Sequence, residues 1–231
     1  MSKTIEILYE DNHIIVINKK SGDIVQGDIT GDQPLSDIVK GFIKERDNKP
    51  GDVFLGTPHR IDRPTSGIIM FAKTSKALER LNKMFHDKEI QKTYWAIVKN
   101  KPLKQEDTLI HYLKKNTVKN KSIAYANPIE GAKKAELLFK VIHQFNNYYL
   151  LEIKPLTGRH HQIRIQLATI GCPIRGDLKY GFPRSNPDAS ISLHARKIEF
   201  IHPVSQLPIC VVAPPNSNDP LWKQAGELFK D

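Results

Sequence analysis

The sequence has 231 residues, of which 39% are hydrophobic and 26% charged; this excludes an intrinsically disordered chain and provides enough apolar residues for a buried core. The formal net charge of +10 attracts polyanions such as nucleic acid, although a solubilising positive surface explains the same excess. No stretch reaches the roughly 18 apolar residues of a membrane span, the N-terminus lacks the apolar core of a signal peptide, and Cys172 and Cys210 form no disulfide framework. We therefore expect a cytoplasmic protein with no membrane partner.

The first hundred residues predict strands and helices in alternation. Residues 14–17 and 24–25 are β-branched and flank a Ser-Gly-Asp turn signal, which predicts strand, turn, strand. From Pro34 onward, apolar residues recur at helical spacing and predict an amphipathic helix. Residues 67–71 predict a buried strand, followed by a helix with Thr74 or Ser75 as its N-cap and by a strand over residues 93–98.

The second half predicts mainly antiparallel strands. The segment from Lys99 to Lys134 contains nine lysines and three acids, and Asn, Pro and Gly interrupt its periodicity. We therefore predict a mobile or strand-poor segment. It either touches RNA or is simply solvated. Residues 137–142 and 148–154 predict an antiparallel hairpin, because the asparagines between them tolerate the positive φ that tight turns demand. Three further strands and a helix complete the chain: residues 191–195, 197–200 and 209–213, and the helix begun by Asp219 and Pro220. The class is α+β.

The segment HRIDRPTSG, residues 59–67, combines a carboxylate with cations and backbone restraints. Pro64 and Gly67 constrain the loop around Asp62. The flanking arginines, Arg60 and Arg63, favour the carboxylate anion that a nucleophile needs. An arbitrary aspartate in such a loop more often caps a turn and pairs with an arginine, so the segment alone leaves both roles open.

A second unusual run, LTGRHHQIRIQL, covers residues 156–167. It predicts a helix that begins at Thr157 or Gly158 and ends at Gly171. Arg164 lies between two isoleucines, so its guanidinium either reaches a buried acid or extends along the surface to solvent.

Metal and cofactor chemistry have no matching pattern in the sequence. Adjacent His160 and His161 should diverge on a helix, and no H-E-x-x-H or comparable ligand spacing occurs. P-loop, G-x-G-x-x-G and G-x-S-x-G signatures do not occur either. We expect no metal and no cofactor.

Taken together, the motifs resemble those of the RluA family of pseudouridine synthases. HRIDRPTSG followed by IIMFAK resembles the nucleophile motif of that family, and GRHHQIRIQLA resembles its arginine-bearing motif. Three further elements occur in family order: Lys92-Thr93-Tyr94 for K-x-Y, residues 176–181 for G-D-x-x-Y-G, and residues 193–203 for the closing strands. The similarity extends from about Ile14 to Ala213.

The resemblance implies a mixed, largely antiparallel sheet in two halves, with flanking helices and a central active-site cleft. It implies one catalytic domain over residues 1–231, and no S4 RNA-binding domain is expected because the opening strand begins by about Ile5. The implied activity is isomerisation of uridine to pseudouridine in ribosomal or transfer RNA, by a monomer without a cofactor. Ile61, His160 and Gln166 depart from the usual motifs without removing a reacting group, which places the substrate more in question than the chemistry.

The resemblance also implies roles for individual residues. Asp62 would be the nucleophile or general base. It would attack the sugar, attack the uracil ring, or abstract a ribose proton. Tyr94 would stack on the uracil and assist proton removal, and Arg164 would pair with Asp62. The residues expected to bind RNA or the target nucleotide are His59, Arg60, Thr65 and Leu167. Because a stacked uracil is unreachable, the target must be flipped out or lie in a loop.

Two other classes of protein compete with this interpretation. A non-catalytic RNA-binding protein or assembly factor would keep the fold and the basic surface but form no product. A nuclease usually needs clustered carboxylates that hold metal ions, and the sequence shows no such cluster.

Overall fold

The computed structural model describes residues 4–27 and 31–230, which divide into two compact units. Unit 1 contains the residues up to Gln91 together with Arg196–Pro215, and unit 2 contains Lys92–Ala195 and Asn216–Lys230. Both combine helices with antiparallel strands, which confirms the predicted α+β class.

Ten strands and four α-helices follow one another along the described chain. In chain order they are β1 (Ile7–Glu10), β2 (Ile14–Lys19), α1 (Leu35–Arg46), β3 (Ser66–Ala72), α2 (Ser75–His86), β4 (Gln91–Val98), β5 (Glu106–Asn116), β6 (Lys121–Tyr125), β7 (Lys133–Gln144), β8 (Tyr149–Pro155), α3 (Gln162–Thr169), β9 (Leu193–Ile201), β10 (Pro208–Val212) and α4 (Pro220–Leu228). A short 3-10 helix spans Leu178–Tyr180.

Unit 1 is a sheet in the order β1-β2-β3-β9, with β10 paired to β9. The side chains of β2 are buried on both faces, which explains its run of β-branched residues. On one face, Val39 and Ile43 of α1 pack against Ile15, Ile17 and Phe71. Thr74 caps α2 by accepting a hydrogen bond from the amide of Ala77. The two strands and two helices predicted here are confirmed.

The predicted strand over residues 24–25 is wrong. Ile24 and Val25 are buried, but their carbonyls accept hydrogen bonds from the amides of Leu35 (2.7 Å) and Ser36 (3.3 Å). These are the first amides of α1, which have no partners within the helix. The pair therefore caps the helix instead of joining the sheet.

Unit 2 is a five-stranded sheet in the order β4-β8-β7-β5-β6, in which every neighbouring pair is antiparallel. One face packs on α3 through a core that includes Leu137, Leu151 and Leu167. The other face is covered by α4, whose Trp222 packs with Trp95. The predicted hairpin between β7 and β8 is confirmed, although its asparagines are not among the residues with positive φ.

The prediction of a mobile or strand-poor segment over residues 99–134 is wrong. This stretch forms β5, β6 and the start of β7. Leu109 and Leu113 face the core, whereas Lys114 and Lys115 are exposed. Inward and outward side chains therefore alternate along the strand. Polar residues at the outward positions and at the strand ends obscured this alternation in the sequence.

Two further predictions of element boundaries need correction. Residues 191–195 and 197–200 were predicted as separate strands, but β9 is continuous over Leu193–Ile201. The helix predicted from Thr157 or Gly158 begins only at Gln162, because His161 has a left-handed conformation with φ 53°. Its predicted end is confirmed by Gly171, which has φ 76°. No helix in the described part of the chain is long and apolar enough to cross a membrane.

Candidate active site

The loop that carries Asp62 is anchored to β3 in unit 1. The imidazole Nε2 of His59 accepts a hydrogen bond from the amide of Met70 (3.0 Å). The same ring stacks on Phe85, with centroids 4.6 Å apart. At the other end, the amide of Thr65 donates to the carbonyl of Asp62 (3.0 Å), which closes a turn. Asp62 is half-buried in a segment held at both ends.

A second set of contacts fixes the loop just after Asp62. Lys19 is almost fully buried, with 1% exposure, and its Nζ donates to the carbonyl of Arg63 at 3.0 Å. The same carbonyl accepts from the amide of Gly22 at 2.9 Å, and the hydroxyl of Ser21 donates to the carbonyl of Pro64 at 3.0 Å. A buried cation bonded to a backbone carbonyl holds that backbone in one position. Sequence reasoning did not identify Lys19, and no local pattern distinguishes it from a surface lysine.

The two arginines beside Asp62 differ in their exposure and contacts. Arg60 is exposed, which suits its predicted contact with RNA. Arg63 pairs with Asp32, with 2.7 Å between Nη2 and Oδ2, and both side chains are about half exposed. This pairing engages one of the two cations that the sequence analysis assigned to Asp62.

Tyr94 lies on β4 in unit 2. It is opposite Ile153 of β8, and its partly buried ring packs against the core shared with α3. Lys92 precedes it by two residues and therefore lies on the same face of the strand. Burial lowers the pKa of Lys92 from its ordinary value.

Arg164 projects from α3 into the interior of unit 2 and meets a buried acid. Its Nε donates to Oδ2 of Asp177 at 2.7 Å and its Nη2 to Oδ1 at 2.9 Å. Both side chains are buried. Of the two alternatives for Arg164, the structure shows the contact with a buried acid. This bidentate contact fixes the orientation of the guanidinium plane.

Tyr180 and His161 lie close to Arg164. The guanidinium lies over the Tyr180 ring, with 5.2 Å between Cζ and the centroid. The Tyr180 hydroxyl hydrogen-bonds Nδ1 of His161 at 2.9 Å. Burial, with the nearby charge of Arg164, lowers the pKa of His161 to about 2, and burial raises the pKa of Tyr180. Both side chains are therefore neutral at pH 7.

The two adjacent histidines do not diverge as predicted. Their rings stack, with centroids 3.7 Å apart and an angle of 23°. The reason is that α3 begins after them, and the left-handed backbone of His161 turns its ring toward that of His160. Among the residues that the structure describes, no group of three or more His, Cys, Asp or Glu side chains is placed to hold a metal ion.

Two of the side chains predicted to bind RNA are buried. Leu167 has 0% exposure in the core between α3 and the sheet, and Thr65 has 2%. Their role in binding RNA stays a prediction. Gln166, at a position where the family motif usually has histidine, donates to the carbonyl of Leu109 at 3.0 Å. The Gln166 side chain is fully buried in unit 2.

The predicted residues fall into two groups. His59, Arg60, Asp62 and Thr65 share the loop of unit 1, and Tyr94, Arg164 and Leu167 belong to unit 2. The pairing of Asp62 with Arg164 joins the two units and stays a prediction, as does the cleft. Sequence reasoning also missed the roles of Asp177 and Tyr180, although the motif over residues 176–181 contains both.

Comparison with known proteins adds evidence that is independent of this geometry. The family model described as RNA pseudouridylate synthase matches residues 13–169. "Ribosomal large subunit pseudouridine synthase C" of Vibrio vulnificus is 38% identical over 215 residues, which are 90% of this chain and 65% of the relative. The protein of the same name from Escherichia coli K12 is 35% identical, over 85% of this chain and 62% of the relative. The chain thus spans less than two thirds of these relatives.

Solved structures share the fold. The human protein titled RNA Pseudouridylate Synthase Domain Containing 4 superposes with a TM-score of 0.78 at 22% identity, covering 96% of this chain and 92% of that one. The human protein titled RNA Pseudouridylate Synthase Domain Containing 1 superposes with a TM-score of 0.74 at 21% identity, covering 96% of this chain and 87% of that one. At such identities the similarity shows the fold alone.

Proposed function

The chain belongs to the RNA pseudouridylate synthase family, and from this premise we propose that it isomerises specific uridines in RNA to pseudouridine. The observation that carries the proposal is the loop of Asp62. A half-buried carboxylate lies in a turn whose backbone is held by His59 on one side and by Lys19 and Ser21 on the other. A reacting group held in one position lowers the entropic cost of reaching the transition state.

The reaction rearranges bonds within one nucleotide. The bond between N1 of uracil and C1′ of ribose breaks, the base turns, and a bond forms between C5 and C1′. The proton on C5 leaves to a base and then to water, while N1 gains a proton. No electrons are exchanged with another molecule, so the proposed reaction requires no redox partner.

Asp62 is the proposed nucleophile or base. It would attack C1′ of the sugar, attack the uracil ring, or remove a proton from the ribose, and each of these steps needs the carboxylate in its anionic form. Tyr94 would stack on the uracil and assist removal of the C5 proton. Arg164, oriented by Asp177, would pair with Asp62 and hold it toward the substrate.

The proposed substrate is ribosomal RNA, with transfer RNA as the second candidate. The curated relatives named above carry the large ribosomal subunit in their names, which favours the first. The target uridine would be flipped out of its stack or would lie in a loop. We also propose that the chain works as a monomeric catalytic domain in the cytoplasm. Its two free cysteines, Cys172 and Cys210, agree with a reducing compartment.

Release of tritium from RNA labelled at uracil C5 tests the activity directly. Unmodified ribosomal and transfer RNA transcripts would be incubated with the native protein and with Asp62→Asn, which keeps the shape of the side chain but removes its charge. We expect the native protein to release tritium and the variant to lose at least about a thousandfold in rate.

Asp52→Asn is the matched control, because it removes a fully exposed carboxylate from the same unit. Its rate should equal that of the native protein, and both variants should bind RNA equally. Full activity in Asp62→Asn would overturn the assignment of the nucleophile. Absence of release by the native protein from every transcript would favour the non-catalytic RNA-binding alternative.

A further inference from the structure

The tip of the hairpin formed by β5 and β6 is attached to the start of α3 in unit 2. The amide of Ser122 donates to the hydroxyl of Tyr180 (2.8 Å), and the Ser122 hydroxyl donates to the carbonyl of His160 (2.6 Å). From the other side, Nζ of Lys179 donates to the carbonyl of Asn120 (3.0 Å). Ser122 is buried. These bonds give the hairpin tip a fixed position beside the helix that carries Arg164.

The turn at the tip is also ordered internally. The side-chain oxygen of Asn116 accepts from the amide of Lys119 (2.9 Å), and Asn120 adopts a left-handed φ of 43°. A turn closed by an asparagine side chain holds its neighbouring side chains in a defined arrangement. The lysines of the tip are thus presented from a rigid support.

This part of unit 2 carries a local excess of positive charge. Residues 114–134 contain six lysines and a single acid, Glu130. The cations grouped around the tip and the start of α3, here called the basic ridge, are Lys115, Lys119, Lys121, Arg159 and Lys179. All are exposed except Lys121, which is partly buried.

The basic ridge reaches the surroundings of Arg164. The Tyr180 ring has Nζ of Lys121 5.0 Å from its centroid and Cζ of Arg164 5.2 Å from it. Lys115 and Lys179 are also close enough to His161 to help lower its pKa. The cations of the ridge therefore extend to the side chains that surround Arg164, whose own charge is paired with Asp177.

We propose that the basic ridge binds backbone phosphates of the RNA next to the target nucleotide, so that the hairpin holds the strand while Arg164 serves the reacting group. The proposal rests on the proposed function for the choice of RNA as the polyanion. Phosphate contacts position a nucleic acid without reading its sequence. The ridge should therefore contribute to affinity and placement, and the chemical step should not depend on it once RNA is bound.

The salt dependence of RNA binding tests this proposal. The variant Lys115→Gln/Lys119→Gln/Lys179→Gln removes three charges and leaves Lys121 in contact with Tyr180. The probe is an unmodified transcript of large-subunit ribosomal RNA, titrated at several salt concentrations. Each lost contact with a single-stranded phosphate lowers the slope of log K against log salt by about 0.7, so we expect a decrease of about two. The Kd should rise at least roughly tenfold at 0.15 M salt.

The matched control is Lys99→Gln/Lys101→Gln/Lys104→Gln, which removes three exposed lysines at the opposite end of β5. Its slope and Kd should stay close to those of the native protein, and thermal melting should show that both triple variants fold. Equal losses in the two triple variants, or an unchanged slope in the ridge variant, would overturn the proposal.

Tritium release separates this result from failure of the proposed function. With saturating RNA, the ridge variant should keep kcat within about twofold of the native value while its KM rises. If the native protein released no tritium, the proposed function would fail, and the binding titration would still decide whether the ridge contacts RNA. A large drop in kcat in the ridge variant at unchanged KM would contradict phosphate binding as its role.

Discussion

Arg164 and Asp177 form a buried ion pair whose main effect is orientation. Taking both charges out of water costs several kcal/mol, which the pair recovers only with good geometry and further hydrogen bonds. Two hydrogen bonds of 2.7 and 2.9 Å and the Tyr180 ring beneath the guanidinium meet that requirement. A side chain restrained in this way has little rotamer freedom left. Asp177 is therefore a positioning residue for Arg164.

Under the proposed function, Asp177→Asn should separate catalysis from RNA binding. The amide keeps the size of the carboxylate but loses its charge, so Arg164 is held less firmly and a buried cation loses its counter-ion. We expect kcat to fall at least about tenfold and stability to fall by about 2 to 4 kcal/mol. Binding titrations with the labelled RNA should show little change in Kd. If the role of Asp177 were merely structural, the kcat of the folded fraction would be unchanged.

Helix α3 shows how a short element depends on the residues before it. It has eight residues, too few to be stable alone in water. Gln162 is its first residue, and its side-chain oxygen accepts from the hydroxyl of Thr157 (2.7 Å) and the amide of Arg159 (3.0 Å). His161 supplies a left-handed turn and a buried neutral ring. The start of α3, and with it the position of Arg164, is set by this preceding segment.

The neutral ring of His161 predicts a pH dependence of stability. Its pKa in the folded chain is about 2, against roughly 6.5 when unfolded. Below pH 6.5 the unfolded chain therefore binds a proton that the folded chain does not, and stability falls as the pH is lowered. From pH 7 to pH 5 this amounts to about 2 kcal/mol.

His161→Asn is the variant that tests this dependence, because asparagine tolerates the left-handed backbone and accepts a hydrogen bond. Denaturant unfolding at pH 7 and pH 5 should show a smaller loss of stability in the variant than in the native protein. Equal losses in both would show that His161 is not the titrating group.

At the scale of the whole molecule, the chain builds unit 2 from two pieces that are distant in sequence. The strands come from Lys92–Ala195, and α4 comes from Asn216–Lys230 after the chain has passed through unit 1. Trp222 and Ala225 of this helix cover Trp95, Ile97 and Leu150. The C-terminal helix thus completes the core on the face of the sheet opposite α3.

Trp222→Ala should destabilise the protein more than any surface substitution. Removal of a large buried aromatic side chain leaves a cavity and typically costs 3 to 5 kcal/mol. Denaturant unfolding should show a loss of about this size, while Trp222→Phe, which keeps most of the contact, should lose markedly less. A loss below about 1 kcal/mol for the alanine variant would mean that α4 contributes little to the core.

Much of the fold was predictable because it is encoded locally. The helix after Pro34, the cap at Thr74 and the hairpin between β7 and β8 each depend on periodicity or on one polar residue at an end. The errors came where tertiary contacts override local preference. Ile24 and Val25 have strand propensity but cap α1, and the lysine-rich hairpin forms because a few inward residues, including Leu109, meet a core built by distant strands.

The sequence by itself determined the α+β class, the family motifs and the prominence of Asp62, because these depend on residue types at short, fixed spacings. Only the tertiary structure decided that Lys19 is buried beneath the loop of Asp62, that Asp177 orients Arg164, and that the basic hairpin tip meets the start of α3. Each of these contacts joins residues between 13 and 44 positions apart. Strand register and core packing select such partners, and neither can be read from local spacing.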